Sequence, residues 1–412
     1  MSTGRVLPDA EAAHGYLHRI CFKTGPPGVV GAELEWLVAR EGDHRAPVPS
    51  SLTKSLLAAA GPLPGRSLVS FEPGGQVELS SLPAPDVVSC CAALAGDVAH
   101  LESALGAAGL VLVPAGVDPD RPPARQSREP RYDAMAAYFD TLHSELGVVM
   151  MTSTAGVQVN LDAGADPADV ARRWRMLHLV GPTLSAAFAN SPRHRGALTG
   201  WKSTRQAVWL GLDPSRTHAP PPGDPWLTWP EYVLAAPVMM LRTATLPWLP
   251  APGFSFGDWV GGRVSDHDPP TEDDLGYHLT TLFPPVRPRG WFEVRYLDAQ
   301  DPRWWSVPVV VLATLLEHSE HPELVDAVAE ACEPVTDAWL SAARHGLADP
   351  GLARAAQTVF ESVLPLVGDA ALRMSVEQFA ARHVDRARCP ADDVLDGFET
   401  SFPPRTKQKE LR

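Results

Sequence analysis

Alternation of apolar and polar residues marks four segments of the chain as β-strands. The segment GVVGAELEWLV, residues 28–38, alternates two glutamates with apolar residues. The same period of two occurs in EPGGQVELS (72–80), GVQVNLD (156–162) and WFEVRYLD (291–298). Because side chains at i and i+2 of a strand lie on the same face, each segment predicts a strand with one apolar and one polar face.

The rest of the pattern alternates helices with short strands. Apolar residues at helical spacing predict helices over residues 8–21, 50–61, 86–108, 131–146, 167–190, 273–283 and nearly everything from 307 onward. Further strands are predicted over 110–117 and over 148–164, so that the strand at 156–162 is extended towards its N-terminal side. Many Pro and Trp residues between 191 and 252 predict functional loops with a short helix near Glu231. This irregular order favours an α+β fold with a largely antiparallel sheet.

Length and composition predict an ordinary soluble protein of one large domain or two fused domains. The chain has 412 residues, of which 45% are hydrophobic and 20% charged. We expect a single domain over residues 1–400, with the sheet in about 25–300, a helical C-terminal part in about 305–390 and a disordered tail over 401–412.

Several partners and compartments are not expected. We see no run of about 20 apolar residues and no secretory signal, which argues against a membrane and favours the cytoplasm. The net charge of −14 argues against nucleic acid. The five cysteines are scattered and form no CxxC pair, which argues against zinc and against a disulfide framework.

The polar faces of the four strands are dominated by carboxylates. They carry five glutamates, accompanied by Gln158, Asn160 and Arg295: Glu33, Glu35, Glu72, Glu78 and Glu293. A solvent-facing sheet is the simplest interpretation of any one strand. Five carboxylates without cations would repel each other, however, and divalent cations with oxygen ligands relieve that repulsion. Mg²⁺ or Mn²⁺ fits best, because no histidine lies in these strands to favour zinc.

A phosphate-binding loop is not indicated. The segment GALTGWKST (196–204) lacks the spacing of a P-loop, and no strand is predicted to lead into it. Any bound nucleotide would therefore depend on metal ions and arginines for its phosphates.

Six motifs occur in an order that resembles a known enzyme family. They are GAELEWL, FEPGGQVELS, PRYDAM, TSTAGVQVNLD, FANSPRHRGALTGWKSTRQAVWLGLDPSRT and YHLTTLFPPVRPRGWFEVRYLDAQ. Together they resemble the glutamate–cysteine ligases of the plant and proteobacterial type, and most closely an actinobacterial subgroup of the ergothioneine pathway. The resemblance covers about residues 25–320. It implies a curved antiparallel sheet similar to that of glutamine synthetase, whose concave face binds metal ions, ATP and glutamate.

The resemblance also implies a reaction. The γ-carboxylate of L-glutamate would attack the γ-phosphate of ATP, and the amine of L-cysteine would then displace phosphate from the acyl phosphate. The substrates would be L-glutamate, L-cysteine and ATP. Two alternatives stay open: a γ-glutamyl ligase that uses another amine, and a metal-dependent hydrolase or a catalytically silent relative built on the same sheet.

Roles for individual residues follow from the same resemblance. Glu35 with Glu72 and Glu78 would hold one metal ion, and Glu33 with Glu293 another. Arg205 would bind substrate and act in catalysis together with Arg295, although a surface salt bridge is the alternative for Arg205. Weaker candidates complete the set: Arg131, Arg216 and Met239 for substrate, and Arg287, Gln158 and Asn160 for nucleotide. A plain hydrogen-bonding role is the alternative for Gln158 and Asn160. For Trp201 and Trp209 a core position is favoured over a place in the pocket.

Overall fold

A computed structural model describes residues 4–242, 247–248 and 253–401 of the chain. Its strands are β1 (Val30–Arg40), β2 (Leu68–Phe71), β3 (Val77–Ser80), β4 (Leu110–Val113), β5 (Gly156–Asp162), β6 (Arg193–His194), β7 (Ala197–Leu198), β8 (Val286–Pro288) and β9 (Trp291–Asp298). Its α-helices up to the last strand are α1 (Ala10–Cys21), α2 (Ser50–Ala60), α3 (Val87–Gly106), α4 (Pro130–Thr141), α5 (Leu146–Ser153), α6 (Pro167–Ala187), α7 (Thr204–Leu212), α8 (Pro214–Thr217), α9 (Pro225–Ala235), α10 (Phe256–Val260) and α11 (Glu272–Leu279). The helices after β9 are α12 (Ser306–Glu317), α13 (Pro322–Cys332), α14 (Ala338–His345), α15 (Pro350–Val363), α16 (Ala370–Arg382) and α17 (Pro390–Ser401).

Seven strands form one antiparallel sheet. The order is β2-β3-β1-β5-β9-β8, and β4 pairs with the C-terminal part of β1. Each neighbouring pair is antiparallel, as expected for strands that bury one face and leave the other polar. The predicted α+β class with an antiparallel sheet is confirmed.

The register of the sheet brings the polar positions of the four predicted strands together. Glu35 of β1 lies opposite Glu78 of β3. On the other side of β1, Glu33 lies opposite Gln158 of β5. Directly opposed residues on neighbouring strands have Cβ atoms about 4.5–5.5 Å apart, so the side chains on this face contact one another.

The other face of the sheet packs against helices and forms the main core. Leu34 and Trp36 of β1 are fully buried there, and the Trp36 indole N–H donates to the carbonyl of Gln300 at 3.0 Å. Helices α3, α6 and α12 contact this face at β1, β9 and β5, respectively. Burial of this apolar face against helices stabilises the sheet and leaves the carboxylate face free for a site.

Helix α3 departs from one expectation. By length and composition it is apolar enough to cross a membrane, although inspection of the sequence predicted no such segment. It packs against α2, β1 and β4, and its buried Asp97 accepts hydrogen bonds from the backbone N–H groups of Gly65 and Ser67. These contacts are those of a core helix in a globular domain.

Two local predictions were wrong. The predicted strand over 148–164 begins only at Gly156, and the apolar residues before it form α5. A short apolar run fits a buried helix as well as a strand, and here a second hydrophobic cluster around Phe139 buries it as a helix. The predicted loop region after Ser191 also contains α7, whose N-cap Ser203 accepts from the N–H of Gln206. The remaining loop predictions at 243–246 and 249–252, and the tail from 402, lie outside the described residues.

Candidate active site

A cavity of 520 Å³ opens on the polar face of the sheet. Strands β1, β3, β5 and β9 contribute its floor, and the turn between β2 and β3 contributes one edge. Most of the predicted site residues line it: Glu33, Glu35, Glu72, Glu78, Glu293, Gln158, Arg131, Arg205, Arg287 and Arg295. The sheet register therefore gathers residues that lie up to 262 positions apart in the chain into one cavity.

Three carboxylates form a cluster at the β1–β3 side of this cavity. One oxygen from each of Glu35, Glu72 and Glu78 can be chosen so that all lie within 4.8 Å of one another. Glu35 accepts from the N–H of Gly156 at 2.8 Å and from the amide of Gln158 at 3.0 Å. Glu78 accepts from the hydroxyls of Ser70 and Ser80. These bonds orient Glu35 and Glu78, and all three carboxylate residues line the cavity.

Burial and mutual repulsion in this cluster outweigh the attraction of the nearby arginines. Burial, followed by the neighbouring carboxylates, raises the pKa of Glu35 and of Glu72 to about 7. The same causes raise the pKa of Glu78. Close carboxylates in a partly buried site disfavour ionisation unless a cation is present. The three residues therefore fit a divalent cation, for which carboxylate oxygens are the preferred ligands.

Glu33 and Glu293 lie in different surroundings. Glu33 accepts from the amide of Asn160 at 3.1 Å, and burial and then Glu293 raise its pKa to about 7. Glu293 is 1% exposed and forms ion pairs with the guanidinium groups of Arg287, Arg289 and Arg295 at 2.6, 3.0 and 3.2 Å. Burial alone would raise the pKa of Glu293, but the three arginines outweigh it and hold that pKa well below its ordinary value. Glu293 therefore anchors arginines in this structure.

Arg205 presents an incompletely bonded guanidinium group to the cavity. The residue is only 3% exposed, and its Nη2 donates to the carbonyl of Arg295 at 2.9 Å. Its Nε and Nη1 are buried and have no hydrogen-bond partner within the described residues. A buried N–H without a partner costs free energy, whereas a planar guanidinium binds two carboxylate oxygens well. Arg205 is thus suited to a substrate anion, and the surface salt bridge considered as its alternative is wrong.

Arg295 is held over the centre of the sheet. Its Nη1 donates to the side-chain oxygen of Gln158 at 2.6 Å and to Glu293 at 3.2 Å. Gln158 in turn donates to Glu35, so it links the arginine to the carboxylate cluster. Asn160 does not line the cavity, and it bridges Glu33 and the indole N–H of Trp291. The structure thus gives both amides hydrogen-bonding partners within the protein.

Two further arginines of the cavity contact the segment that follows α11. Arg287 donates to Glu293 and to the carbonyl of Leu282 at 2.9 Å, and burial lowers its pKa to about 10. Arg131 donates to the hydroxyl and to the carbonyl of Thr280. Both side chains line the cavity, so the structure brings both into the candidate site.

Comparison with protein families decides the relationship. The family described as glutamate-cysteine ligase family 2 (GCS2) matches residues 29–396 of this chain. The chain belongs to this family. The resemblance predicted from the six sequence motifs is confirmed.

Members of the family from mycobacteria are similar over almost the whole chain. The glutamate–cysteine ligase EgtA of Mycobacterium tuberculosis is 44% identical over 408 residues, which cover 95% of this chain and 90% of that protein. EgtA of Mycolicibacterium smegmatis is 42% identical over 399 residues, covering 94% and 91%.

A solved structure shares the fold. The crystal structure of a glutamate–cysteine ligase from Francisella tularensis in complex with AMP has a TM-score of 0.51 to this chain. It covers 91% of this chain and 86% of the other, at 12% sequence identity. At this identity the similarity concerns the fold alone.

Two residues expected at the substrate site of this family member lie elsewhere. Arg216 is fully buried, and Asp213, Tyr138 and the carbonyls of Thr281 and Pro237 satisfy its guanidinium group. Met239 is 1% exposed and lines a separate small cavity. Neither lines the 520 Å³ cavity, so their assignment to substrate binding was wrong. The physical reason is that an internal network satisfies Arg216, while Met239 packs in the second hydrophobic cluster.

Other lining residues of the family member were not predicted from the sequence. They include Lys23, Tyr132, Met135, Met150, Met151, Phe283 and Arg289, together with Trp209, for which a core position was favoured. For Trp209 a signal was present, because it follows Arg205 by four positions and therefore shares its face of a helix. The methionines gave no signal, since an apolar side chain at a cavity and one in a core have the same pattern.

Proposed function

We propose that the chain catalyses the ATP-dependent ligation of the γ-carboxylate of L-glutamate to the amino group of L-cysteine, which gives γ-glutamylcysteine. Membership of the glutamate–cysteine ligase family supports this reaction. The observation that carries the assignment to the 520 Å³ cavity is the juxtaposition of the unsatisfied guanidinium of Arg205 with the carboxylate cluster. A substrate anion and a cation-dependent phosphoryl transfer need these two features side by side.

The carboxylate cluster is the proposed metal site. Glu35, Glu72 and Glu78 would hold the ion, and Mg²⁺ or Mn²⁺ suits an all-oxygen set that leaves positions for phosphate oxygens. When bound, the ion would neutralise charge on the triphosphate. A second site of Glu33 with Glu293 remains a prediction from the resemblance, and the three arginines on Glu293 favour the first cluster as the stronger site. The concave, metal-binding sheet similar to glutamine synthetase is part of this proposal.

The reaction has two steps. The γ-carboxylate oxygen of glutamate attacks the γ-phosphorus of ATP, and the bond from that phosphorus to the bridging oxygen breaks to release ADP. The cysteine amine then attacks the acyl carbon of γ-glutamyl phosphate, the bond to the phosphate oxygen breaks, and the amine loses a proton.

The arginines have separate roles in these steps. Arg205 would bind a glutamate carboxylate through its guanidinium group, whose Nε and Nη1 have no partner within the described residues. Arg295, held by Gln158 and Glu293, would stabilise charge near the transferring phosphoryl group. Arg287 and Arg131 are proposed for the nucleotide and for substrate, respectively. The bonds of Gln158 and Asn160 within the protein favour an orienting role for these amides over direct nucleotide contact.

The product is proposed to enter ergothioneine biosynthesis, as expected for a relative of the mycobacterial EgtA proteins. A cytoplasmic location remains a prediction from the sequence. The alternatives with another amine or with hydrolysis are not favoured by any feature of the cavity described above.

Phosphate release from ATP tests the function directly. Purified protein with Mg²⁺ should release phosphate only when glutamate and an amine are both present, and cysteine should be the best amine of a panel of amino acids. Release that needs no glutamate would exclude the ligase. A better amine than cysteine would establish the other γ-glutamyl ligase.

A further inference from the structure

One side of the 520 Å³ cavity is apolar. We call this side the apolar wall, and it consists of Met135, Met150, Met151, Trp209 and Phe283. All five belong to or pack against a hydrophobic cluster that is separate from the main core beneath the sheet. The three methionines are between 4% and 7% exposed, and the cavity supplies that remaining exposure. Part of the second hydrophobic cluster thus lines the candidate site.

The apolar wall is fixed next to the carboxylate cluster. A Cβ on Gly74, in the turn after Glu72, would lie 2.0 Å from the carbonyl oxygen of Thr152, which follows Met151. Gln76 of the same turn donates to the carbonyl of Thr154 at 2.8 Å. These backbone contacts hold the methionines of α5 against the turn that carries a proposed metal ligand.

Trp209 connects the apolar wall with the arginines. Its ring lies 5.6 Å from that of Phe283, centroid to centroid. The guanidinium carbons of Arg205 and Arg295 each lie 6.0 Å from the centre of the Trp209 ring. The apolar wall is therefore directly adjacent to Arg205 and Arg295, the groups proposed to bind anions.

The opposite edge of the cavity is basic. Arg287 and Arg289 lie on and beside β8, the strand at the far edge of the sheet from β2. Lys23 packs against the β8–β9 turn, where a Cβ on Gly290 would lie 3.1 Å from its Cδ. A triphosphate held by an ion at the carboxylate cluster would extend towards these three cations, which match its oxygens better than thioethers do. The apolar wall is thus available to a substrate other than the triphosphate of ATP.

We propose that the apolar wall receives the side chain of the amine substrate and selects a small, weakly polar group such as a thiol. This inference rests on the proposed ligase function and names the residues that set its amine specificity. The thioethers and the Phe283 ring offer no hydrogen-bond donor, and the indole N–H of Trp209 is the one donor among the side chains of the apolar wall. A thiol loses little on leaving water for such a surface, whereas a hydroxyl loses its hydrogen bonds.

The expected selectivity follows from that difference. An apolar pocket rejects an isostere that carries a hydroxyl by about 100-fold, so kcat/KM for L-serine should be lower than for L-cysteine by about that factor. L-2-aminobutyrate, in which a methyl group replaces the thiol, should stay within about tenfold of cysteine. A fall in kcat/KM for 2-aminobutyrate as large as the fall for serine would overturn the inference. It would mean that a polar group recognises the sulfur atom.

Enlarging the apolar wall provides the decisive test. Met135→Ala and Met151→Ala should raise the ratio of kcat/KM for homocysteine over cysteine by at least about tenfold, since a methylene is worth about 10- to 200-fold in an apolar pocket. The KM values for glutamate and ATP should not change. The ratio is independent of the fraction of active protein, so partial unfolding does not affect it.

Met239→Ala is the matched control. Met239 belongs to the same hydrophobic cluster but lines the other cavity, so its truncation should lower stability and leave the homocysteine-to-cysteine ratio unchanged. Should an alanine variant fail to fold, Met150→Gln keeps the volume and adds an amide, and it should raise the serine-to-cysteine ratio about tenfold.

Different results would contradict the role of the apolar wall and the proposed ligase function. If the wild-type protein ligates glutamate to cysteine but these ratios stay constant, the inference is overturned. A raised KM for ATP in the wall variants would also overturn it, because the wall would then bind the nucleotide base. Absence of γ-glutamylcysteine with the wild-type protein would instead contradict the proposed function.

Discussion

Gly156 lies against the guanidinium group of Arg205. A Cβ placed on Gly156 would lie 2.7 Å from Nη2 of Arg205, and its own N–H donates to Glu35 at 2.8 Å. This residue at the start of β5 therefore contacts both the cation proposed to bind substrate and the cluster proposed to bind metal. The lack of a side chain at position 156 is a packing requirement of the site.

Gly156→Ala should therefore displace Arg205 and lower activity. We expect kcat/KM for glutamate to fall at least about tenfold, because a displacement of a binding group by about 1 Å is costly in a preorganised site. Gly15→Ala is the control, since a Cβ there meets open space on α1 and alanine favours a helix. Steady-state kinetics of both variants check this, and a fully active Gly156→Ala protein would contradict the proposed position of Arg205.

Glu35→Gln should remove a metal ligand without unfolding the protein. We expect a loss of more than about 100-fold in kcat and weaker Mn²⁺ binding by calorimetry, because the amide keeps the shape but not the charge. In the absence of metal the variant should melt at the same temperature as the wild type or higher, since one repelling charge is gone. Normal turnover of Glu35→Gln with Mg²⁺ would exclude Glu35 as a ligand.

The stability of the metal-free protein should fall as pH rises from 6.5 to 8. The pKa values of Glu35 and Glu72 are raised from 4.5 to about 7 in the folded state, so the folded state binds protons more tightly than the unfolded state. The contribution of these two groups to the free energy of unfolding is fully present below pH 4.5 and is lost as the pH rises through 7. Burial lowers the pKa values of His178 and His278, so these histidines change the stability only below pH 6.5, outside this interval.

Thermal melts of chelator-treated protein at several pH values measure this dependence. Glu35→Gln should flatten the slope, and Mg²⁺ should restore stability at pH 8, because the cation favours the ionised carboxylates. A metal-free protein whose melting temperature rises over the same interval would show that the carboxylates are compensated within the protein.

Arg205→Lys keeps the charge and loses the planar pair of donors. One charge-assisted hydrogen bond is worth about 1.5–3 kcal/mol, so kcat/KM for glutamate should fall about 10- to 150-fold through a raised KM. The KM for ATP should change little. Arg216→Lys is a contrasting variant, because it breaks an internal network and should lower the melting temperature with smaller effects on KM. A raised KM for ATP alone would make Arg205 a phosphate ligand.

Glu293→Gln should release the arginines that Glu293 holds. Removing one member of a buried charged network leaves the others unpaired, so we expect a lower rate and a lower melting temperature together. Glu129→Gln changes an acid that does not line the cavity and should leave both quantities close to wild type. Equal losses of rate in the two variants would mean that overall acidity, and not this network, supports activity.

Much of the site could be predicted because strands impose a strict period. Glu33 and Glu35 had to share a face of β1 once the segment was a strand, and Gln158 followed by the same rule on β5. The family resemblance then joined these faces into one sheet. Prediction failed at residues 148–153, where an apolar run carries no period that separates a strand from a buried helix.

The sequence by itself determined the strand faces, the family and the set of carboxylates. These depend on local periodicity and on motifs that can be recognised in the amino-acid sequence without a structure. Only the tertiary structure decided which residues meet. It paired Glu293 with three arginines, left two nitrogen atoms of Arg205 without partners among the described residues, and buried Arg216 away from the cavity. Such relations arise from contacts between elements distant along the chain, and the partner that satisfies a charge is set by packing and not by the residue type.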